Sequence, residues 1–161
     1  MADADAVRRM ARLGIAASVQ PAFDAAWGGP EGMYAQRLGE HRVPGINPFA
    51  TMAAEGVAMA FGSDAPVTTF SPWAAVRAAV DHRDAGQRVD TLTALDAHTR
   101  GGWAAAGEDG GVLRVGGPAT FAAWSVTATD ADGLPVLGGG APLPLCRLTV
   151  ANGVTLHDPT A

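Results

Sequence analysis

Phe61-Gly62-Ser63-Asp64-Ala65-Pro66-Val67 sets a carboxylate between an apolar run and a proline turn. The apolar residues Val57 to Phe61 predict a buried strand, Gly62-Ser63 let the backbone come close to whatever lies at its end, and Pro66 stops the strand from continuing. In α/β enzymes reactive groups stand at the carboxyl ends of such strands, because the strand fixes the position and the next loop opens onto substrate. Asp64 therefore admits two roles. It is either a carboxylate that carries chemistry or a turn aspartate that satisfies nearby backbone donors.

On the amino-terminal side, Asp3 reads as an N-cap, and Ala6, Val7, Met10, Ala11 and Leu13 recur at helical spacing up to Gly14, a natural stop. Ile15 to Val19 is short, apolar and closed by Gln20-Pro21, which predicts a buried strand. Residues 22–44 read as a long functional loop carrying Trp27-Gly28-Gly29-Pro30 and a short helix through Met33 to Leu38. Asn47-Pro48 opens a helix through Phe49 to Ala54 that Gly56 ends, directly before the strand that leads to Asp64.

On the carboxyl-terminal side, Ser71-Pro72 starts a helix with Trp73, Val76, Ala79 and Val80 on its apolar face, closed by Asp81-His82-Arg83-Asp84. A further helix is expected from Thr91 to about Ala106. Strands alternating with helices predict a parallel sheet wrapped by helices. Beyond Gly107 the pattern changes to short apolar strands, Phe121 to Val126 and Leu145 to Val150, punctuated by Gly116-Gly117-Pro118 and Gly138-Gly139-Gly140. Asn152-Gly153 between apolar runs is a hairpin turn. The expected organisation is α/β over residues 1–107 and β over residues 108–161.

Composition bounds the function. A chain of 161 residues with 48% hydrophobic content has enough apolar material for a core of its own. A net charge of -5 without a Lys/Arg block argues against a nucleic-acid surface, and no apolar run reaches the roughly 18 residues of a membrane helix. One cysteine, Cys146, allows neither an internal disulfide nor a CxxC metal site, and a reducing, cytoplasmic setting is expected. Ser63 lacks the glycine pattern of a nucleophile elbow. Gly28-Gly29 and Gly138 to Gly140 do not join a strand to a helix as an anion-binding loop does. His41, His82, His98 and His157 lack the i, i+3 or i, i+4 spacing that lets two helical histidines share a metal, and they read as surface or loop residues.

Taken together, Gly14 to Pro21, Met59 to Val67, the Ser71-Pro72-Trp73 helix start and the Ala94 to Gly107 helix resemble the metal-dependent amidohydrolase superfamily, in its amidohydrolase-3 branch. The resemblance implies a distorted (β/α)8 barrel with a β-sandwich beside it. On that basis Gly14 to Pro21 corresponds to the seventh barrel strand, Phe61 to Val67 to the end of the eighth, and the tail from Gly107 to returning sandwich strands. Asp64 then matches the eighth-strand aspartate, which in the family sits at the metal centre and passes a proton from water to the leaving group. Trp27, above the seventh strand, is the aromatic expected to face substrate. The implied reaction is hydrolysis of a non-peptide carbon–nitrogen bond in a small-molecule amide, with a divalent metal, zinc by expectation.

The departures are as informative. The family's first-strand His-x-His pair, its bridging ligand and the histidines of its fifth and sixth strands have no counterparts here, and Pro118 to Ala122 replaces the Leu-Ala-Asp stretch usual before a sandwich strand. One carboxylate cannot hold a catalytic divalent ion alone. The chain is accordingly expected to be a carboxyl-terminal fragment, inactive in isolation, with Met1 falling on what resembles an internal helix. The alternative is a non-catalytic remnant that pairs with a chain supplying the missing strands.

Overall fold

Two helices of this protein end in the same way, and each delivers the chain into a strand. Helix α1 (Ala4–Leu13) starts at Asp3, whose carboxylate accepts from the Ala6 amide at 2.8 Å. It stops at Gly14, where φ is +65°, and the Ile15 amide reaches back to the Met10 carbonyl at 3.0 Å. Helix α4 (Phe49–Ala54) stops at Gly56, with φ +74°, and there the Val57 amide bonds the Met52 carbonyl at 2.9 Å. Glycine takes the left-handed conformation without the Cβ penalty, and the reversed bond satisfies a terminal carbonyl. Each turn leads into a strand, β1 (Ala17–Val19) and β2 (Met59–Phe61), although Ile15, directly after the first turn, is 46% exposed and only Ala17 of β1 is buried.

The computed structural model describes residues 2–160, which divide between Gly111 and Val112 into two units. In the first, β1 and β2 pair in parallel with Ala17 opposite Met59 and Val19 opposite Phe61. All of β2 is buried, as expected of a parallel strand covered on both faces, whereas Ser18 of β1 is exposed. Helix α2 (Pro21–Trp27), helix α3 (Met33–Leu38) and a 3-10 turn (Glu40–Arg42) fill the stretch between β1 and α4. The long loop expected over residues 22–44 is thus largely helical. The reason lies in Pro21, whose fixed φ suits the first helical position as well as it suits a strand end.

Helix α5 (Pro72–Val80) follows the Asp64 turn and packs against α2. Its buried Trp73, Val76 and Ala79 meet a core that includes Val7, Phe49 and Phe61, with the Phe49 and Phe61 rings 5.3 Å apart. Burying Phe49 completely removes enough apolar surface to contribute about 2–3 kcal/mol. The single helix expected from Thr91 to Ala106 is two, α6 (Thr91–His98) and α7 (Arg100–Ala105). Thr99 leaves helical geometry between them, at φ -115° and ψ -86°, while its hydroxyl bonds the Leu95 carbonyl at 2.8 Å. The break brings Gly101 onto β2 so closely that a Cβ there would lie 2.0 Å from the Met59 carbonyl oxygen.

The second unit is an antiparallel sheet of strands β3 (Phe121–Ser125), β4 (Leu145–Ala151) and β5 (Val154–His157), in that order. Asn152 and Gly153, at φ +49° and +80°, form the tight turn between β4 and β5. Irregularities of register fall at Ala123/Trp124 and Thr149/Val150. A smaller loop is tied by Asp130, whose Oδ1 accepts from the Asp132 and Leu134 amides at 3.0 and 2.9 Å. Leu137 and Val150 are buried, whereas every residue of β5 is exposed. The architecture is mixed α/β, one small parallel and one small antiparallel sheet, without a closed barrel among the described residues.

Candidate functional site

The parallel pairing continues one residue past β2, since the Gly62 amide donates to the Val19 carbonyl at 3.0 Å. The chain then turns at Asp64, which sits in the left-handed region at φ +53°. Aspartate tolerates that conformation better than most residues with a side chain. The Val67 amide closes the turn onto the Asp64 carbonyl at 2.8 Å, and the Ala65–Pro66 peptide is cis. Ser63 supports the turn from within: its hydroxyl accepts from the Ala65 amide at 3.3 Å, and its carbonyl accepts the Thr68 hydroxyl. The donor-satisfying role open to Asp64 is therefore filled by Ser63. Asp64 is exposed, and its carboxylate makes no hydrogen bond or ion pair among the described residues.

Trp27 is the last residue of α2 rather than part of a loop. Its ring stands edge-on to Phe23 at 4.7 Å and to Tyr34 at 6.4 Å, and it is half-buried. It also borders an open groove of about 790 Å³ whose other walls are the outer face of α2 and the segment from Ala65 to Phe70. The fold thus joins Trp27 and the chain just after Asp64 along one groove. Asp64 itself does not line it. Of the remaining tryptophans in the first unit, Trp73 is buried and Trp103 is exposed.

One polar pair escaped sequence reasoning. His82 leaves the end of α5 and is 1% exposed, not a surface residue, and Asp24 on α2 is 3% exposed. His82 Nε2 stands 3.5 Å from Asp24 Oδ1, while Asp24 Oδ2 accepts the Arg83 amide at 2.8 Å. The Arg83 guanidinium donates to the Ala25 carbonyl at 3.0 Å, and the Phe49 ring meets the His82 ring edge-on at 5.3 Å. These bonds bind the end of α5 to α2. Partial burial, with the negative charge of Asp24 adding to it, raises the Tyr34 hydroxyl above its ordinary pKa, so that Tyr34 stays protonated at neutral pH. The one signal in the sequence was an aspartate on the same face as Pro21 in an otherwise apolar helix.

His41 and His157 are exposed, and burial pushes the His98 imidazole below its ordinary pKa. Cys146 is half-buried on β4 with its Sγ 3.4 Å from the Thr149 hydroxyl. Among the described residues no three of His, Cys, Asp and Glu come together as a group able to hold a metal ion. The residues present do not fit a complete catalytic metal centre, because a catalytic divalent ion takes several protein ligands at once. No helix among the described residues is long and apolar enough to cross a membrane.

Comparison with known proteins agrees with this geometry in part. The chain is similar to a metal-dependent hydrolase of Pyrococcus furiosus, described only as uncharacterized, at 28% identity and a TM-score of 0.59 over 68% of this chain and 23% of that one. It is likewise similar to an uncharacterized metal-dependent hydrolase of Pyrococcus horikoshii OT3, at 28% identity and a TM-score of 0.52, over 63% of this chain and 22% of that one. The protein thus spans about a quarter of the length of these solved relatives. None of the curated proteins matches it. The pattern of the amidohydrolase family matches residues 1–157, nearly the whole sequence, and the chain belongs to that family.

Proposed function

We propose that the protein is the carboxyl-terminal part of a metal-dependent amidohydrolase that cleaves a non-peptide carbon–nitrogen bond in a small-molecule amide. Asp64 is its proton-transferring carboxylate. The observation that carries this role is the position of Asp64 at the carboxyl end of buried strand β2, exposed and with its side chain unengaged. Hydrolysis adds water across the C–N bond: the water oxygen attacks the carbonyl carbon, and its proton must travel to the departing nitrogen. An unpaired carboxylate fixed at a strand end can take that proton and return it. Ser63 holds the turn, and Trp27 lines the groove next to it, where an apolar part of the amide would lie.

On this reading residues 1–107 are the last two strand–helix units of a barrel, with β1 as the seventh strand and β2 as the eighth, and residues 108–161 are sandwich strands. The metal, zinc by expectation, needs ligands that this chain does not bring together. The isolated chain is therefore inactive and works in the cytoplasm only alongside the rest of a barrel. A second reading, a non-catalytic piece that associates with a chain carrying the missing strands, is favoured by one feature. Leu145, Val154 and Leu156 stand more than half exposed on β4 and β5, apolar surface that further sandwich strands would cover.

The test is to purify the chain, measure bound zinc by elemental analysis and assay hydrolysis of small amides beside Asp64→Ala. We expect no stoichiometric metal and no turnover. Zinc at one equivalent together with turnover that disappears in Asp64→Ala would overturn the inactivity of the isolated chain. Adding back a barrel portion from a related hydrolase should give activity that depends on Asp64; activity indifferent to Asp64→Ala would instead favour the non-catalytic role.

A further inference from the structure

The sheet of the second unit turns on Asn152-Gly153, and the same pair of residues can react with itself. In an Asn-Gly pair the backbone nitrogen of the glycine can attack the side-chain carbonyl carbon of the asparagine, because no Cβ on the glycine stands in the way. The new N–C bond closes a five-membered succinimide, the Cγ–Nδ2 bond breaks, and Nδ2 leaves as ammonia with the proton of the glycine nitrogen. Water then opens the ring at either carbonyl, leaving aspartate, or isoaspartate in which the main chain runs through Cγ. The sequence has two asparagines, Asn47 and Asn152, and Asn47 precedes Pro48, whose nitrogen has no proton to give. The route is therefore open at Asn152 alone.

Asn152 and Gly153 are both exposed, so water reaches the turn. Both reacting groups are nevertheless engaged. The Gly153 amide donates to the Ala119 carbonyl at 2.9 Å, which withholds the attacking nitrogen. Thr120 holds the asparagine from two sides, its hydroxyl oxygen accepting the Asn152 amide at 2.9 Å while the hydroxyl donates to Oδ1 at 3.3 Å. Ring closure swings the carboxamide carbon onto the glycine nitrogen, and these bonds must open first. Strand β5 allows such an opening without the rest of the unit, since it is four residues long, pairs with β4 alone among the described residues and is exposed throughout. We infer that Asn152 is a site of spontaneous covalent modification, to aspartate and isoaspartate, held back in the folded chain by Ala119 and Thr120. Isoaspartate adds a backbone atom to a two-residue turn whose length sets the register, so the modified chain loses the β4–β5 pairing. The site is independent of any part the protein takes in amide hydrolysis.

The experiment incubates the chain at fixed temperature and neutral pH, folded and in guanidinium chloride, and follows Asn152 by mass spectrometry of its peptides. Asp109-Gly110 and Asp132-Gly133 can close the same ring but release no ammonia, so the change in mass reports on Asn152 alone. A hydrogen bond of ordinary strength changes the population of an open turn about fivefold, and several act here, so the folded chain should deamidate at least about tenfold more slowly than the unfolded one. Thr120→Val removes the hydroxyl at nearly constant shape and should raise the folded rate about fivefold, whereas Thr120→Ser, which keeps the hydroxyl, should stay within about twofold of the wild type. Isoaspartate at position 152 should accumulate in step with the loss of asparagine, and hydrogen exchange along β5 should quicken in the modified fraction. If Thr120→Val does not fold, the ratio of the folded to the unfolded wild-type rate decides. A folded rate equal to the unfolded one, a folded Thr120→Val no faster than the wild type, or an Asn152 that never deamidates even when unfolded would each overturn the inference.

Discussion

Asp24 and Asp64 are carboxylates just beyond the ends of neighbouring parallel strands, and the molecule treats them in opposite ways. Asp24, on the helix that follows β1, is buried, holds the Arg83 amide and stands against a buried imidazole. Asp64, on the turn that follows β2, is exposed and holds nothing with its side chain, because Ser63 supplies the oxygens that the turn requires. A buried carboxylate is tolerated only where donors surround it, and it stabilises the fold through those donors. An exposed one on a fixed backbone contributes little to stability and is left available for chemistry. The difference separates a residue that holds helices together from one that can act on another molecule.

The largest effect that would sharpen this contrast is expected at Asp24. Replacing it by Ala leaves the Arg83 amide without its acceptor and removes the carboxylate packed 3.5 Å from the buried His82 ring, and the loss of stability should be about 3 kcal/mol, read from the urea midpoint at unchanged slope. A loss no greater than that of an ordinary surface substitution would remove the distinction between the two carboxylates. Next comes Asp64→Ala, where the side chain is unengaged but φ is +53°. Alanine tolerates this conformation less well than aspartate, at a cost of about 1 kcal/mol, and Asp64→Gly should recover it.

A smaller effect concerns pH. Burial lowers the folded-state pKa of His98 below its unfolded value of about 6.5, so the unfolded chain binds the proton first. The contribution of neutral His98 is fully present above that value and is lost as pH falls through it towards the folded pKa. Urea midpoints of the wild type should therefore decline more steeply between pH 7 and pH 5 than those of His98→Gln; parallel curves would contradict the shift. The smallest effect belongs to Asp64→Asn, which keeps shape and tolerance of the left-handed region. Its stability should match the wild type within about 0.5 kcal/mol, whereas any hydrolysis seen with an added barrel portion should vanish.

The parts of this fold that were legible in the sequence are those written in local chemistry. Asp3 caps α1, Gly14 and Gly56 end helices, and Asn152-Gly153 turns β4 into β5, because each requires only its near neighbours. The family was legible as well, through Gly62-Ser63-Asp64 at the end of an apolar strand together with the flanking helix starts. What local chemistry could not give is set by distant partners. Pro21 reads equally as a strand terminator and as a helix start, and only the packing of α2 on α5 decides for the helix. The break at Thr99 interrupts a stretch whose periodicity is continuous, and it places Gly101 against β2. His82 looked like one more polar residue at a helix end. Its burial comes from Phe49 and from Asp24, 58 residues earlier in the chain.

Gly101 and Gly102, side by side in α7, face opposite futures under mutation. A Cβ at 101 would strike the Met59 carbonyl of β2, whereas one at 102 would meet nothing within 4 Å. Alanine at 102 replaces the poorest non-proline helix former by the best, while alanine at 101 pushes the helix off the strand that leads to Asp64. In a library of random variants selected for folding, codon 101 should stay fixed while codon 102 drifts freely, so two identical neighbouring letters would evolve at very different rates.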